Sequence, residues 1–144
     1  MIEAAYVLPL FVLVLLFVLE AYVYALNGMV ISDVVTDMHH VLIEEASLLA
    51  VDSSAGAVYT TCSANVLSFN TGDVSTALVN QINNAIDFQI SDLTATMPAA
   101  TSSNGFAYYT ITVTGSMDPV VIPSDIGIDF SFNVKTSIAI KAAC

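Results

Sequence analysis

The sequence predicts an α+β protein in which a long N-terminal helix, transmembrane and then amphipathic, precedes a small head with one short helix and an antiparallel sheet. Three observations carry this prediction: an apolar N-terminal run, a helical apolar stripe that prolongs it, and a strictly alternating segment near the C-terminus. Hydrophobic residues make up 56% of the 144 residues and charged residues 10%. A soluble domain carries about 25% charged residues, so the composition argues against an independently soluble monomer.

The apolar run is long enough to be a transmembrane helix. Ala4–Leu19 carries no charge, Glu20 interrupts the run, and apolar residues then continue to Ile31. A transmembrane helix needs about 20 predominantly apolar residues. A cleavable secretory signal is the alternative, but it has a basic n-region, whereas this chain opens with an acidic residue at position 3. We therefore expect that a basic leader preceded Met1 and was removed.

Past Ile31 the helical pattern becomes amphipathic. Apolar residues recur at spacings of three and four on one face: Ile31, Val35, Met38, Leu42, Ala46 and Leu49. We expect one helix from about Ile2 to about Val51, and we divide the chain into 1–52 for this helix and 53–144 for the head. At 1.5 Å per residue such a helix is ~75 Å long, so its second half must lie along something other than a bilayer.

The head has the composition of one helix and several strands. Residues 57–69 are β-prone but irregular, and Asp73 is a good N-cap for a helix whose apolar spacing extends to Leu93. A polar loop is expected over 94–105. Strands are expected over Phe106–Thr114 and Ile128–Ile140, and the Pro-containing loop between them predicts an antiparallel pair.

The chain has two cysteines, Cys62 and Cys144. In an extracytoplasmic protein an even pair suggests a disulfide; two unpaired buried thiols are the alternative. We favour the disulfide because a terminal residue frays unless it is tied down. There is no CxxC motif to support a redox or zinc site.

Charge and motifs exclude several functions. The chain has 2 basic and 13 acidic residues, so we expect no nucleic-acid partner, because such binding depends on clustered Lys and Arg. GxGxxG, P-loop, GxSxG and HExxH motifs are absent, and we expect neither an enzyme nor a cofactor. Asp37, His40 and Glu44 share a helix face that could hold a metal ion, but a solvated face is the favoured interpretation, and we assign no metal site.

The spacing of residues at the N-terminus carries a family resemblance. Glu3 is followed five and six positions later by Leu8 and Pro9, then by a Leu-rich run, and Glu20 stands seventeen residues after Glu3. This pattern resembles the N-terminus of TadE-like pilins, within the type IV pilin superfamily. The resemblance covers about the first 45 residues. Two features depart from it: pilins commonly place the first Glu fifth in the mature chain, and the family often has Arg after the helix.

The resemblance implies a function and a location. Such pilins are made as precursors in the inner membrane, cleaved by a prepilin peptidase, and drawn by the pilus assembly machinery into a filament on the bacterial surface. The chain would then be a structural subunit of a homo-oligomeric helical pilus that serves adhesion and surface attachment. The alternative is a membrane-anchored, pseudopilin-like assembly or secretion factor that does not polymerise.

Four residues are candidates for assembly roles: Met1, Glu3, Pro9 and Glu20. A carboxylate in an apolar bundle is costly unless it is paired or protonated. We expect the α-amino group of Met1, from the same or a neighbouring subunit, to pair with Glu3; the alternative is that Glu3 lies at the water-exposed end of the helix and pairs with nothing. Glu20 is then expected to be protonated, hydrogen-bonded to a Tyr or a backbone carbonyl, or facing a polar channel. Pro9 is expected to kink or loosen the helix, or simply to be tolerated in its first turns.

Overall fold

The first element is one continuous helix, α1 (Ile2–Val51), of 50 residues. The computed structural model describes residues 2–86, 90–122 and 130–144, with side chains from residue 7 onward. The helix spans the predicted range, and it continues through Pro9, so a loosened turn at Pro9 does not end it. After Val51 the chain leaves the helix at Asp52, where the sequence predicts a stop.

The described part of the head contains one helix and six strands. Their bounds are β1 (Thr60–Ser63), β2 (Val66–Phe69), α2 (Thr71–Ala85), β3 (Ile90–Thr96), β4 (Thr101–Ser103), β5 (Phe106–Met117) and β6 (Phe130–Lys141). The predicted fold class, α+β with a long N-terminal helix, is therefore confirmed.

Strand β5 is the centre of the larger sheet. It pairs with β6 in antiparallel register from Phe106↔Lys141 to Met117↔Phe130, which confirms the predicted antiparallel pair. Its other edge is shared by β3 and β4, both antiparallel to it. Strands β1 and β2 form a separate antiparallel hairpin.

The core lies between α1, α2 and the larger sheet. The helical stripe predicted from the sequence is its α1 side, and all six members are buried: Ile31, Val35, Met38, Leu42, Ala46 and Leu49. From α2 come Val74, Leu78 and Ile82, each fully buried. Burying one such large aliphatic side chain is worth about 1.5–3 kcal/mol, so the second half of α1 is held by its own head.

Helix α2 is shorter than the sequence predicts. It ends at Ala85, and both Ile90 and Leu93 lie in β3 rather than in the helix. Their spacing suits a helix, but the segment forms a strand because it pairs with β5. Tertiary context here overrides local periodicity. The N-cap is Asn70, not Asp73; Asp73 lies in the first turn, where its carboxylate accepts a hydrogen bond from the Asn70 side-chain amide.

Two segments predicted as irregular or as loop form hairpins. Residues 94–105 contain the end of β3 and all of β4, and Asn104 and Gly105 close the β4–β5 hairpin with φ of 54° and 80°. Two positive φ values match the twist of the flanking strands, which is why Asn-Gly favours such turns. In the 57–69 segment, Ala64 and Asn65 close the β1–β2 hairpin in the same way.

The predicted disulfide is present and joins Cys62 of β1 to Cys144, 82 residues later. The segment after β6 also bonds to the small hairpin through backbone groups, since Leu67 N–H donates to the Ala142 carbonyl at 3.0 Å. The bridge therefore fastens the β1–β2 hairpin to the end of the central strand pair.

Reduction of this disulfide is expected to destabilise the head while α1 stays helical. The chain-entropy model assigns a loop of this length about 4–5 kcal/mol. Thermal unfolding with and without reductant, followed by far-ultraviolet circular dichroism for the helices and near-ultraviolet tyrosine signals for the head, measures the difference. The matched control is the Cys62→Ser/Cys144→Ser variant, whose unfolding should not respond to reductant. An unchanged head transition in the reduced native chain would contradict the prediction.

Candidate functional site

The apolar segment of α1, Val7–Leu19, has almost no protein around it. Only 6% of the most apolar stretch of α1 is buried by the rest of the protein. The helix has the length and composition to cross a membrane. Its large side chains are between 44% and 68% exposed on every side, with Leu16 half-buried. The exposed set is Val7, Leu8, Leu10, Phe11, Val12, Leu13, Val14, Leu15, Phe17, Val18 and Leu19.

The head meets α1 at Glu20, the first described residue of the helix to be buried. The side chain is 2% exposed, and its carboxylate accepts three backbone hydrogen bonds from one loop. Val120 N–H donates to Oε1 at 2.9 Å, while Val121 and Ile122 N–H donate to Oε2 at 2.7 and 3.1 Å. Hydrogen bonds to a charged acceptor contribute about 1.5–3 kcal/mol each. We call this arrangement the Glu20 anchor.

The expectation for the surroundings of Glu20 is therefore wrong. Its partners are backbone donors, not a tyrosine, a backbone carbonyl or a polar channel, and three N–H donors suit an ionised carboxylate rather than a protonated one. The local sequence could not reveal them, because the donors lie 100 to 102 residues further along the chain.

Glu45 forms a second anchor of the same kind. Its carboxylate accepts Val58 N–H on Oε1 at 2.8 Å, and Tyr59 N–H and the Thr60 hydroxyl on Oε2, both at 2.9 Å. At 100° per residue, Glu45 lies within about 20° of Glu20 around the helix, and about 37 Å further along it. Both ends of the head are thus fixed to one face of α1; we call the second contact the Glu45 anchor.

Between the anchors, α1 lies beside β6. The Tyr24 hydroxyl donates to the Ser131 carbonyl at 2.9 Å, and its ring packs on Phe130 with centroids 5.2 Å apart. Further along both elements, His39 Nδ1 and the Thr136 hydroxyl are 3.2 Å apart. The order of these contacts shows that α1 and β6 run in the same direction.

The other residues predicted for the site are placed as follows. Met1 lies outside the described residues, and so does the Glu3 side chain, although the Glu3 backbone belongs to α1. Pro9 is exposed within the apolar segment, while Cys62 and Cys144 form the bridge described above. Across the described side chains, no group of three potential metal ligands comes together.

No protein-family model, no curated protein and no solved structure matches the chain. We therefore infer the function from the exposed apolar segment and from the two anchors that hold the head on α1.

Replacing Glu20 by Gln is expected to open its loop without unfolding the head. The amide keeps one acceptor oxygen, but it loses the charge and presents N–H₂ where the second oxygen accepts. Loss of about 1.5–3 kcal/mol predicts roughly 10- to 100-fold faster hydrogen exchange at the amides of residues 120–122. The amides of residues 58 and 59 should keep their protection.

The Glu45→Gln variant is expected to show the reverse pattern, with faster exchange at residues 58 and 59. Glu44→Gln is the matched control, because it removes an adjacent exposed carboxylate and should change neither segment. Equal exchange at residues 120–122 in the wild-type and Glu20→Gln chains would show that the carboxylate does not hold the loop.

Proposed function

We propose that this chain is a structural pilin-type subunit. Its apolar segment holds it in the inner membrane before assembly and forms the core of an extracellular helical filament afterwards. The filament serves adhesion and surface attachment. The proposal gives the chain no catalytic role and no cofactor.

The observation that carries the proposal is the difference between the two halves of α1. The second half is covered along its apolar stripe by its own head, whereas the apolar segment is exposed all round. An exposed apolar surface of this extent needs a partner, and burial of apolar surface is worth about 25 cal/mol per Å². The apolar segment can be covered on every side either by lipid or by the same segment of neighbouring copies of the chain.

The position of the head supports a filament with its heads on the outside. Both anchors and the buried stripe lie in α1 from Glu20 onward, so the head leaves the apolar segment free for lateral packing. Head-to-tail contacts between identical subunits that do not close on themselves generate helical filaments. The disulfide fits this location, because such bonds persist outside the reducing cytosol.

The resemblance of the N-terminal pattern to TadE-like pilins supports the same function. By that resemblance, a prepilin peptidase and a pilus assembly machinery are the proposed partners. The alternative is a non-polymerising, pseudopilin-like membrane factor, for which the same segment remains in lipid. Negative-stain microscopy of native material separates the two proposals, because abundant filaments are incompatible with the alternative.

Shape changes in the apolar segment should distinguish helix packing from lipid contact. Phe11→Ala and Phe17→Ala remove large exposed rings and leave the segment apolar. Lipid accommodates the smaller side chain, whereas packing between helices depends on close van der Waals fit. We expect normal membrane levels of subunit but reduced filament yield. Phe106→Ala, which removes an exposed ring from the head, is the control and should assemble normally. Full filament yield from both helix variants would contradict the proposal.

Glu3 is expected to be required for assembly, through pairing with an α-amino group of the processed N-terminus. Glu3→Gln and Glu3→Ala should lower filament yield at equal membrane levels of subunit, while hydrogen exchange at residues 120–122 stays as in the wild type. Normal filaments from both variants would contradict the pairing. Loss of filaments in Glu20→Gln alone would show that Glu20 is the carboxylate that assembly requires.

A further inference from the structure

We propose that the loop held by the Glu20 anchor, Pro119–Ile122, is a lipid-contact surface that rests in the interfacial region of the bilayer crossed by α1. The proposal concerns the subunit before assembly. It depends on insertion of the apolar segment and is independent of polymerisation.

The length of helix before the anchor places the loop at the edge of the hydrocarbon. The uncharged run between Glu3 and Glu20, residues 4–19, spans about 24 Å at 1.5 Å per residue, and the hydrocarbon core of a bilayer is ~30 Å thick. Glu20 directly follows this stretch and is the first described residue of α1 buried by the head. A loop bonded to Glu20 therefore lies where the lipid chains end.

The side chains of the loop suit that depth. Residues 119–122 are Pro, Val, Val and Ile, with no polar side chain among them. Val120 is 48% exposed, and Val121 and Ile122 are half-buried. The exposed apolar surface of α1 thus continues onto the head at this loop.

The backbone N–H groups of the loop also have partners within the protein. An N–H group without a partner is costly in lipid, where no water replaces the missing bond. The Glu20 carboxylate accepts the N–H groups of Val120, Val121 and Ile122, and Pro119 has no N–H. Every backbone donor of the loop is therefore satisfied within the subunit.

Aromatic side chains mark the same level on the helix. Tyr22 and Tyr24 follow Glu20 within one turn, and Tyr22 is 62% exposed. Tyrosine is enriched where the hydrocarbon meets water, because its ring is apolar and its hydroxyl is polar. The loop and the exposed Tyr22 ring thus lie at the same level, where α1 leaves the membrane.

Charge indicates how this surface binds. The net charge is −11, and exposed Asp118 adjoins the loop. Anionic headgroups attract basic segments, which this part of the chain lacks. The contact is therefore apolar, and it should form with neutral lipids.

The loop held by the Glu45 anchor provides an internal control. Val58 is 70% exposed and is held by the same carboxylate-to-backbone bonding. It lies about 37 Å further along the helix at 1.5 Å per residue, beyond the reach of the bilayer surface. The two loops share this bonding and an exposed valine, and they differ in their distance from the membrane.

Tryptophan fluorescence tests the proposal, because the chain has no Trp of its own. Full-length Val120→Trp, Val58→Trp and Leu13→Trp chains are inserted into neutral phosphatidylcholine vesicles, with and without bromine on the acyl chains near the headgroup. We expect blue-shifted emission that brominated lipid quenches at positions 13 and 120, and red-shifted, unquenched emission at position 58. Retained protection of the amides of residues 121 and 122 shows that the substituted loop is still anchored.

Three results would overturn the proposal. Quenching at position 13 without quenching or a blue shift at position 120 would show that the loop stands in water. A blue-shifted but unquenched Trp at position 120 would show that protein, from the same or a second copy of the chain, covers the loop instead of lipid. No quenching at position 13 would show that α1 does not insert, which also contradicts the membrane stage of the proposed function.

The unmodified chain gives an independent measurement. In NMR spectra of the inserted protein, a nitroxide-labelled lipid should broaden the methyl signals of Val120 and leave those of Val58 sharp. Equal broadening of the two residues would contradict the proposal. Failure of the protein to form filaments would contradict the proposed function alone and leave this inference intact.

Discussion

The hydrogen bonds from the Val120, Val121 and Ile122 N–H groups to the Glu20 carboxylate determine how the head sits on its helix. A buried carboxylate needs compensation, and a chain with 13 acidic and 2 basic residues offers few ion pairs. Backbone N–H groups therefore stabilise the Glu20 carboxylate in place of a cation. Glu45 is satisfied by neutral donors in the same way at the other end of the head. The head is thus attached to α1 by hydrogen bonds from neutral groups, in a chain that has few positive charges.

The two anchors and the apolar stripe fix the helix together. The stripe supplies most of the burial, but apolar contact is non-directional and would tolerate sliding of the head along α1. Hydrogen bonds are directional, so the anchors select one register. The Tyr24 bond to Ser131 and the Phe130 ring beside it fix the same register on β6. The exposed length of the apolar segment is therefore a defined property of the fold.

The features that follow from local pattern were predictable, and those that depend on distant partners were not. The buried stripe of α1 and the alternation of β6 are patterns of residues that are close in sequence, so both elements could be placed from the sequence. The spacing of Ile90 and Leu93 suits a helix, and only the pairing of this segment with β5 places both residues in a strand. Asn104-Gly105 is a local hairpin signal, so the β4–β5 hairpin was predictable although a loop was predicted over 94–105. The donors to Glu20 had no local signal, because chain topology alone brings residues 120–122 to the helix.

The same geometry bears on how a subunit could move from a membrane to a filament under the proposed function. Lipid and packed helices are both poor solvents for charge, so an ionised Glu20 needs its three donors in either setting. Opening the anchor at any stage would leave a carboxylate and three N–H groups unpaired at the edge of an apolar medium. The anchor should therefore stay closed throughout, and the head and helix should travel as one body. Assembly then requires only that neighbouring helices replace lipid around Val7–Leu19, with no refolding of the subunit.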